Sequence, residues 1–222
     1  MYDTPDLNSY YMIHAAMRRG SRQLATAIAS LAEGDIARAE DIRWYSEGLV
    51  HELHAHHTIE DDLFFPALAA RVPAFADYES TLADDHVHLA EVMSALTDAV
   101  RGLAGGQPWE VYHPVAAEQS AELADLLDRH LATEDDDVLP LFERHFDAEE
   151  YHRLDRQAVK RTGLRQLLFT VPWAVTTAEP DAAAHALEHG PSVLRIVWRV
   201  TRRRYVRRAA RALGVEAMAV AR

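Results

Sequence analysis

The chain has 222 residues, enough to bury a full core without covalent staples. It contains no cysteine, which excludes a disulfide scaffold, a zinc ribbon and a thiol nucleophile, and which fits a reducing cytoplasm. Its 35 acidic and 23 basic side chains leave a net charge of −12, which argues against general affinity for nucleic acid or anionic membrane.

Apolar residues recur at three- and four-residue intervals in four long stretches, the mark of amphipathic helices. The first runs over about 8–32, with Tyr10, Ile13, Met17, Leu24, Ile28 and Leu31 on one stripe. The second spans about 38–71 through Ile42, Tyr45, Leu49, Leu53, Leu63 and Phe64, and Pro73 helps to end it. The third, about 76–103, aligns Leu82, Leu89, Met93, Leu96 and Val100 before Gly102 to Pro108 close it. The fourth, about 109–146, passes through Val115, Leu123, Leu126, Leu127, Val138, Leu141 and Phe142. Asp147 followed by Glu150 reads as the cap of a fifth, shorter helix ending near Gly163. Four long helices with short connections describe an all-α, up-down-up-down four-helix bundle. We assign residues 1–147 to this bundle and 148–222 to a helical C-terminal extension.

The extension differs in character. Leu164–Val175 is apolar but interrupted by Pro172, and Asp181 reads as the cap of a two-turn helix ending at His189-Gly190. Ser192 then caps an Arg-rich amphipathic helix to about Leu213. From Pro191 onward nine arginines face one acid, Glu216; this local +8 leaves −20 on residues 1–190. The expected use of this basic tail is docking on the acidic bundle. A membrane surface and nucleic acid are the alternatives. No run of 18 apolar residues spans a bilayer, and the first six residues lack the basic and apolar regions of a signal peptide, so a cytoplasmic location is expected.

A repeat points to the chemistry. His56-His57-Thr58-Ile59-Glu60-Asp61-Asp62 precedes His130-Leu131-Ala132-Thr133-Glu134-Asp135-Asp136 by 74 residues, and a proline follows each leading histidine by ten. The first and third helices each carry one histidine on the apolar stripe, His14 and His86, 72 residues apart. Two copies of a helical hairpin related by a pseudo-twofold account for both matches. A His and a Glu four residues apart share a helical face, and here each pair continues a leucine stripe into the bundle. No Lys or Arg lies on those stripes to neutralise two buried carboxylates, so a metal is the simplest counter-ion. Nitrogen and oxygen donors without sulfur suit iron, manganese or zinc. His14 and His56 could ligate one metal and His86 and His130 another, with Glu60 and Glu134 bridging.

The pattern His14, His56-x-x-x-Glu60, His86, His130-x-x-x-Glu134, with Leu63-Phe64-Phe65-Pro66 after the first motif, resembles the hemerythrin family and its HHE cation-binding domain. The resemblance covers about residues 8–146, and the arginine- and alanine-rich composition is similar to that of bacterial members. It implies a four-helix bundle around two iron ions in a non-haem, oxygen-bridged di-iron centre that reacts with O₂, H₂O₂ or NO. It also implies that His14, His56, Glu60, His86, His130 and Glu134 are the metal ligands. Two departures stand out. The oxygen carriers of the family have a further histidine four residues after the one in the third helix, where this chain has Ala90, and an Asp one residue later than Glu134. His88 lies on the wrong side of its helix to substitute, and His57 would need a rotated helix to reach in. A missing ligand opens a coordination position, which favours catalase-like peroxide disproportionation over reversible O₂ carriage. A non-catalytic iron, oxygen or redox sensor signalling through the Arg-rich tail is the alternative.

Other spacings are weaker. Glu110/His113 and Glu149/His152 have ferritin-like spacing but sit at opposite ends of the fourth stretch, and His51-Glu52-Leu53-His54 is one residue short of a zincin motif. Glu52, one turn before His56, is a candidate to orient a ligand imidazole. The acid runs 61–62 and 135–137 are expected to be solvated.

Overall fold

The computed structural model describes residues 4–161, 163–190 and 192–214. Glu216 and Arg222 of the basic tail, Pro191 at its start and the first three residues of the chain lie outside these, as does the side chain of His189. Among the described residues there is no strand, and the expected all-α bundle with additional C-terminal helices is the architecture found.

Four helices form the bundle: α1 (Asn8–Ala29), α2 (Ile36–Ile59), α4 (Ala76–Ala104) and α5 (Trp109–Thr133). Each packs on two neighbours in the ring order α1, α2, α4, α5 and back to α1. A few residues join α1 to α2 and α4 to α5, and residues 60–75 return the chain from α2 to α4, so ring neighbours are antiparallel. Gly34 (φ +81) and Gly106 (φ +68) supply the left-handed backbone in the two tight connections at one end. At that end His113 stacks on Trp109 and donates from Nε2 to the Ile28 carbonyl, closing the last turn of α1.

The second and fourth stretches, expected as continuous α-helices, are each interrupted at a corresponding point. Glu60–Phe64 and Glu134–Val138 form single π-helical turns, in which Phe65 N–H reaches back to the Glu60 carbonyl and Leu139 N–H to that of Glu134. The helices then resume as α3 (Phe65–Ala69) and α6 (Leu139–His145). Pro66 and Pro140 explain the interruption. A proline ring crowds the carbonyl one turn back and donates no hydrogen bond, and a widened turn relieves both problems.

Beyond the bundle lie α7 (Ala148–Arg161), α8 (Leu164–Thr177), α9 (Pro180–His189) and α10 (Ser192–Leu213). The capping box at α7 is present: Asp147 Oδ1 accepts from Glu150 N–H at 2.8 Å, and Glu150 returns the bond to Asp147 N–H at 3.1 Å. Two other expectations are corrected. α8 runs through Pro172, held by burial of Trp173 and Phe169. α9 starts one residue before Asp181, which lies in its first turn rather than at its cap.

α8 and α10 cover α1 and α2. Phe169 lies across Gly48, within 2.2 Å of where a β-carbon would stand, so only glycine allows this approach. The C-terminal half of α10 buries Tyr205, Ala209, Ala212 and Leu213 in the same apolar cluster as the bundle core. Arg208 and Arg211 both donate to Asp41, at 2.9 and 2.6 Å, and Arg208 also covers the Trp44 ring at 4.7 Å.

The core is divided. One apolar cluster runs along the bundle through Met17, Leu53, Leu89 and Leu127; a second, at one end, gathers Leu7, Phe64, Leu82, Val138 and Phe142. On every bundle helix the chain passes from one cluster to the other across a single buried polar layer. His14, His57, Glu60, His86, His130 and Glu134 belong to that layer.

Candidate metal centre

All six residues singled out in the sequence meet in this layer. His14 comes from α1, His56 from α2, His86 from α4 and His130 from α5, while Glu60 and Glu134 open the two π turns. His14 Nε2 lies 3.1 Å from His56 Nε2, and His86 Nε2 lies 3.2 Å from His130 Nε2. Two imidazole nitrogens bound to one metal at about 2.1 Å, at angles between octahedral and tetrahedral, are themselves separated by about 3 Å. Each pair therefore has the spacing of two ligands on one ion.

The carboxylates span the two pairs. Glu60 sets Oε1 2.9 Å from His56 Nε2 and Oε2 3.7 Å from His86 Nε2. Glu134 sets Oε2 3.4 Å from His14 Nε2 and Oε1 3.5 Å from His130 Nε2. Each glutamate thus addresses the histidine of its own helix with one oxygen and that of another helix with the other.

A residue held aside in the sequence joins them. His57 is buried, its ring stacks on His86 with centroids 4.3 Å apart, and it shares one donor group with Glu60, His86 and His130. A second group comprises His14, His56, Glu60 and Glu134; in each group the donor atoms lie within 4.8 Å of one another. No rotated helix is needed, and the expectation of a missing imidazole at Ala90 is corrected: His57, from the neighbouring helix, brings a third imidazole to this half. Consecutive helical residues point about 100° apart, and α2 lies between α1 and α4, so His56 reaches His14 while His57 reaches His86. At the equivalent place on α5 stands Leu131, buried among apolar neighbours. The pseudo-twofold is therefore broken into a three-imidazole half and a two-imidazole half.

Asp61 and Asp135, at matching places in the repeat, hold the histidines. Asp135 accepts from His14 Nδ1 at 2.7 Å and Asp61 from His86 Nδ1 at 2.9 Å, while Asp85 lies 3.3 Å from His130 Nδ1. A carboxylate on Nδ1 fixes the tautomer and aims the Nε2 lone pair inward. The expectation that these acid runs are merely solvated is corrected for these two residues. Their sequence signal was their position, immediately after each Glu. Arg18 in turn pairs with Asp135 at 2.7 Å, and Arg161 with Asp62 at 3.1 Å. Glu52 does not orient an imidazole; it accepts from Gln166 Nε2 at 2.7 Å and from the Thr170 hydroxyl, tying α8 to α2.

Tyr10, read only as part of an apolar stripe, donates its hydroxyl to Glu60 Oε1. Its ring packs against His14, His56 and Phe64 at 4.9, 5.5 and 5.5 Å, beside the two-imidazole half. Counting along the loosely repeated helices, its counterpart is Leu82. His88 is half exposed and pairs with Glu122, as its helical phase predicts.

The electrostatics of the layer call for a cation. Both Glu134 oxygens, Glu60 Oε2 and His57 Nε2 are buried and have no hydrogen-bond partner. Leaving such groups unsatisfied costs several kcal/mol, and among the described residues no Lys or Arg reaches them. Burial, then the neighbouring Glu60 and Asp135 charges, push the Glu134 carboxyl well up from the ordinary range. Burial acts the same way on Glu60, but His56, with His57 and His14, overrides it and holds that carboxyl down. Burial lowers His14 to about 4 and takes His57 well below the ordinary imidazole value, so both are neutral donors at pH 7. Neutral imidazoles and orphaned carboxylate oxygens are the form in which a metal is bound. The residues fit a binuclear site, and they are a hard-to-borderline N/O set.

The comparisons agree. Residues 8–142 match the model of the hemerythrin HHE cation binding domain. The chain is 24% identical over 155 residues to the zinc finger protein BRUTUS of Arabidopsis thaliana, which covers 57% of this chain and 12% of that protein. No solved structure matches the chain.

Proposed function

Because the chain belongs to the hemerythrin HHE cation-binding family, we propose that its buried layer holds two iron ions and that the protein disproportionates hydrogen peroxide in preference to carrying O₂ reversibly. His14 and His56 would hold one ion and His57, His86 and His130 the other, with Glu60 and Glu134 shared. When bound, two iron ions supply the electron pair for the reaction and take it back. One peroxide takes up two electrons and two protons and leaves as two waters; a second gives up two electrons and two protons and leaves as O₂.

The observation that carries this choice is the Tyr10 hydroxyl on Glu60, beside the half that has one imidazole fewer. With Leu131 standing where His57 stands in the other half, an ion held by His14 and His56 would have one imidazole fewer. A phenol there can pass a proton to a reacting oxygen, which favours cleavage of an O–O bond and works against storing it intact. Phe64 and Phe142 cover the site from one end and exclude bulk water. Asp61 and Asp135 keep the imidazoles in one orientation through the cycle.

The test is metal content together with turnover. Two irons per chain and one O₂ released for every two peroxides consumed, with both lost in Glu60→Ala and His130→Ala, support the proposal. A single zinc per chain, or a stable reversible O₂ adduct in a protein that leaves peroxide untouched, would sink it.

A redox or oxygen sensor is the second reading. It is favoured by Glu52, one turn before His56, which fastens α8 and through it α10 to the metal-bearing helix. Protease sensitivity of the tail that changes with metal loading, in a protein without turnover, would select it.

A further inference from the structure

α10 has two faces of different kinds. Toward the bundle it buries Tyr205, Ala209 and Ala212, and its Arg208 and Arg211 are held by Asp41. Turned away from the protein, Val193, Ile196 and Val200 are 39%, 61% and 76% exposed. Val200 stands among the arginines rather than on the covered side. Arg199 and Val200 each lie three or four residues from Ile196 and from Arg203, and Arg207 lies four beyond Arg203, so the five share one side of the helix. The three arginines are exposed, and no acidic side chain among the described residues pairs with them.

Such a face asks for a partner that is anionic and apolar at once. Nucleic acid matches the guanidinium groups but leaves the three aliphatic side chains in water, and so does an acidic protein surface. An anionic bilayer offers phosphates in the headgroup layer and hydrocarbon a few ångströms below. Arginine can keep its charge at the first level while valine and isoleucine enter the second. The net −12 of the chain argues against general affinity for such a surface but not against a local basic face, because repulsion from the rest of the molecule is screened beyond about 8 Å at physiological ionic strength. No described helix is long and apolar enough to cross a membrane, so the contact lies along the surface.

We infer that the outer face of α10, centred on Ile196, Arg199, Val200 and Arg203, docks the protein on an anionic membrane surface. The experiment is cosedimentation of the full chain with phosphatidylglycerol–phosphatidylcholine vesicles and with pure phosphatidylcholine vesicles. The wild type binds the first and not the second. Arg199→Gln/Arg203→Gln/Arg207→Gln weakens binding on the order of 100-fold, about fivefold per arginine. Ile196→Ser/Val200→Ser weakens it about tenfold or more. All five side chains are exposed, so circular dichroism and the peroxide activity should match the wild type in both variants. Absence of vesicle binding by the wild type overturns the inference. So does vesicle binding that neither variant alters. Retention on duplex DNA, or self-association, that needs the arginines and not the aliphatic pair would assign the face to nucleic acid or to a second copy instead.

Discussion

The imidazole of His57 lies against that of His86, ring centroids 4.3 Å apart and planes 19° from parallel. This contact brings a third imidazole to one half of the centre, and it divides the roles of two adjacent histidines. His57→Ala is therefore expected to weaken uptake of one of the two metals by about tenfold or more while sparing the other. Stepwise iron titration followed by calorimetry reads this directly. Equal weakening of both sites would contradict the division.

The aspartates behind the imidazoles should matter nearly as much as the ligands. Asp135→Asn and Asp61→Asn keep the shape but lose the charge that orients His14 and His86. Each should lower metal affinity by about 10–100-fold. Asp136→Asn, at the next position and with no hydrogen bond to a site imidazole among the described residues, serves as the control and should be neutral.

Tyr10→Phe removes one hydroxyl from the site and leaves its ring. Both metals should still bind, with peroxide turnover down by about 100-fold, the lower range for a lost proton-transfer group. Unchanged turnover at full metal loading would remove Tyr10 from the chemistry.

The metal-stripped protein should lose stability on acidification. His14 is fully buried and its folded value is lowered to about 4 by desolvation, partly offset by the hydrogen bond it donates to Asp135. Between about pH 6.5 and 4 the unfolded chain therefore takes up a proton that the folded chain refuses. Stability is full above that window and falls through it by about 3 kcal/mol from this group. His57 and His86 act in the same direction, whereas Glu134 and His56, both raised, act in the opposite one. Urea midpoints measured from pH 7 to pH 5 should fall. A rise would show that the raised pair, Glu134 and His56, dominates.

Gly48→Ala tests how α8 is seated. The new methyl would overlap the Phe169 ring, and overpacking of this kind costs about 1–3 kcal/mol. The helix propensity gained, about 1 kcal/mol, offsets only part of it. A lower melting temperature with unchanged metal content is the expected result.

Much of the centre was legible because helical periodicity is a strong constraint. His14, His56, Glu60, His86, His130 and Glu134 stand in phase with leucines that must be inside, and a polar residue in such a phase is inside too. His57 was harder to place, since a stripe drawn on one helix in isolation has one direction. In a ring of four, each helix has two neighbours, and residues on either side of the stripe can both be buried. Asp61 and Asp135 were misjudged for a related reason. Their backbone positions are near solvent, but each side chain reaches back to a histidine on another helix. Tyr10 carried no signal that separates a core aromatic from one with a polar task.

What the amino-acid order determined by itself is the class of fold and the kind of centre. Amphipathic periods specify four helices, and a repeated His-x-x-x-Glu among leucines specifies buried nitrogen and oxygen donors with no cation to balance them. What only the tertiary structure decided is the asymmetry. The order of packing around the ring determines that His57 finds His86 while Leu131 finds other apolar groups. It also determines that Tyr10 meets Glu60 and that one side of α10 is covered while the other faces water. These are relations between helices, and they follow from which faces meet once each helix has buried its own apolar stripe.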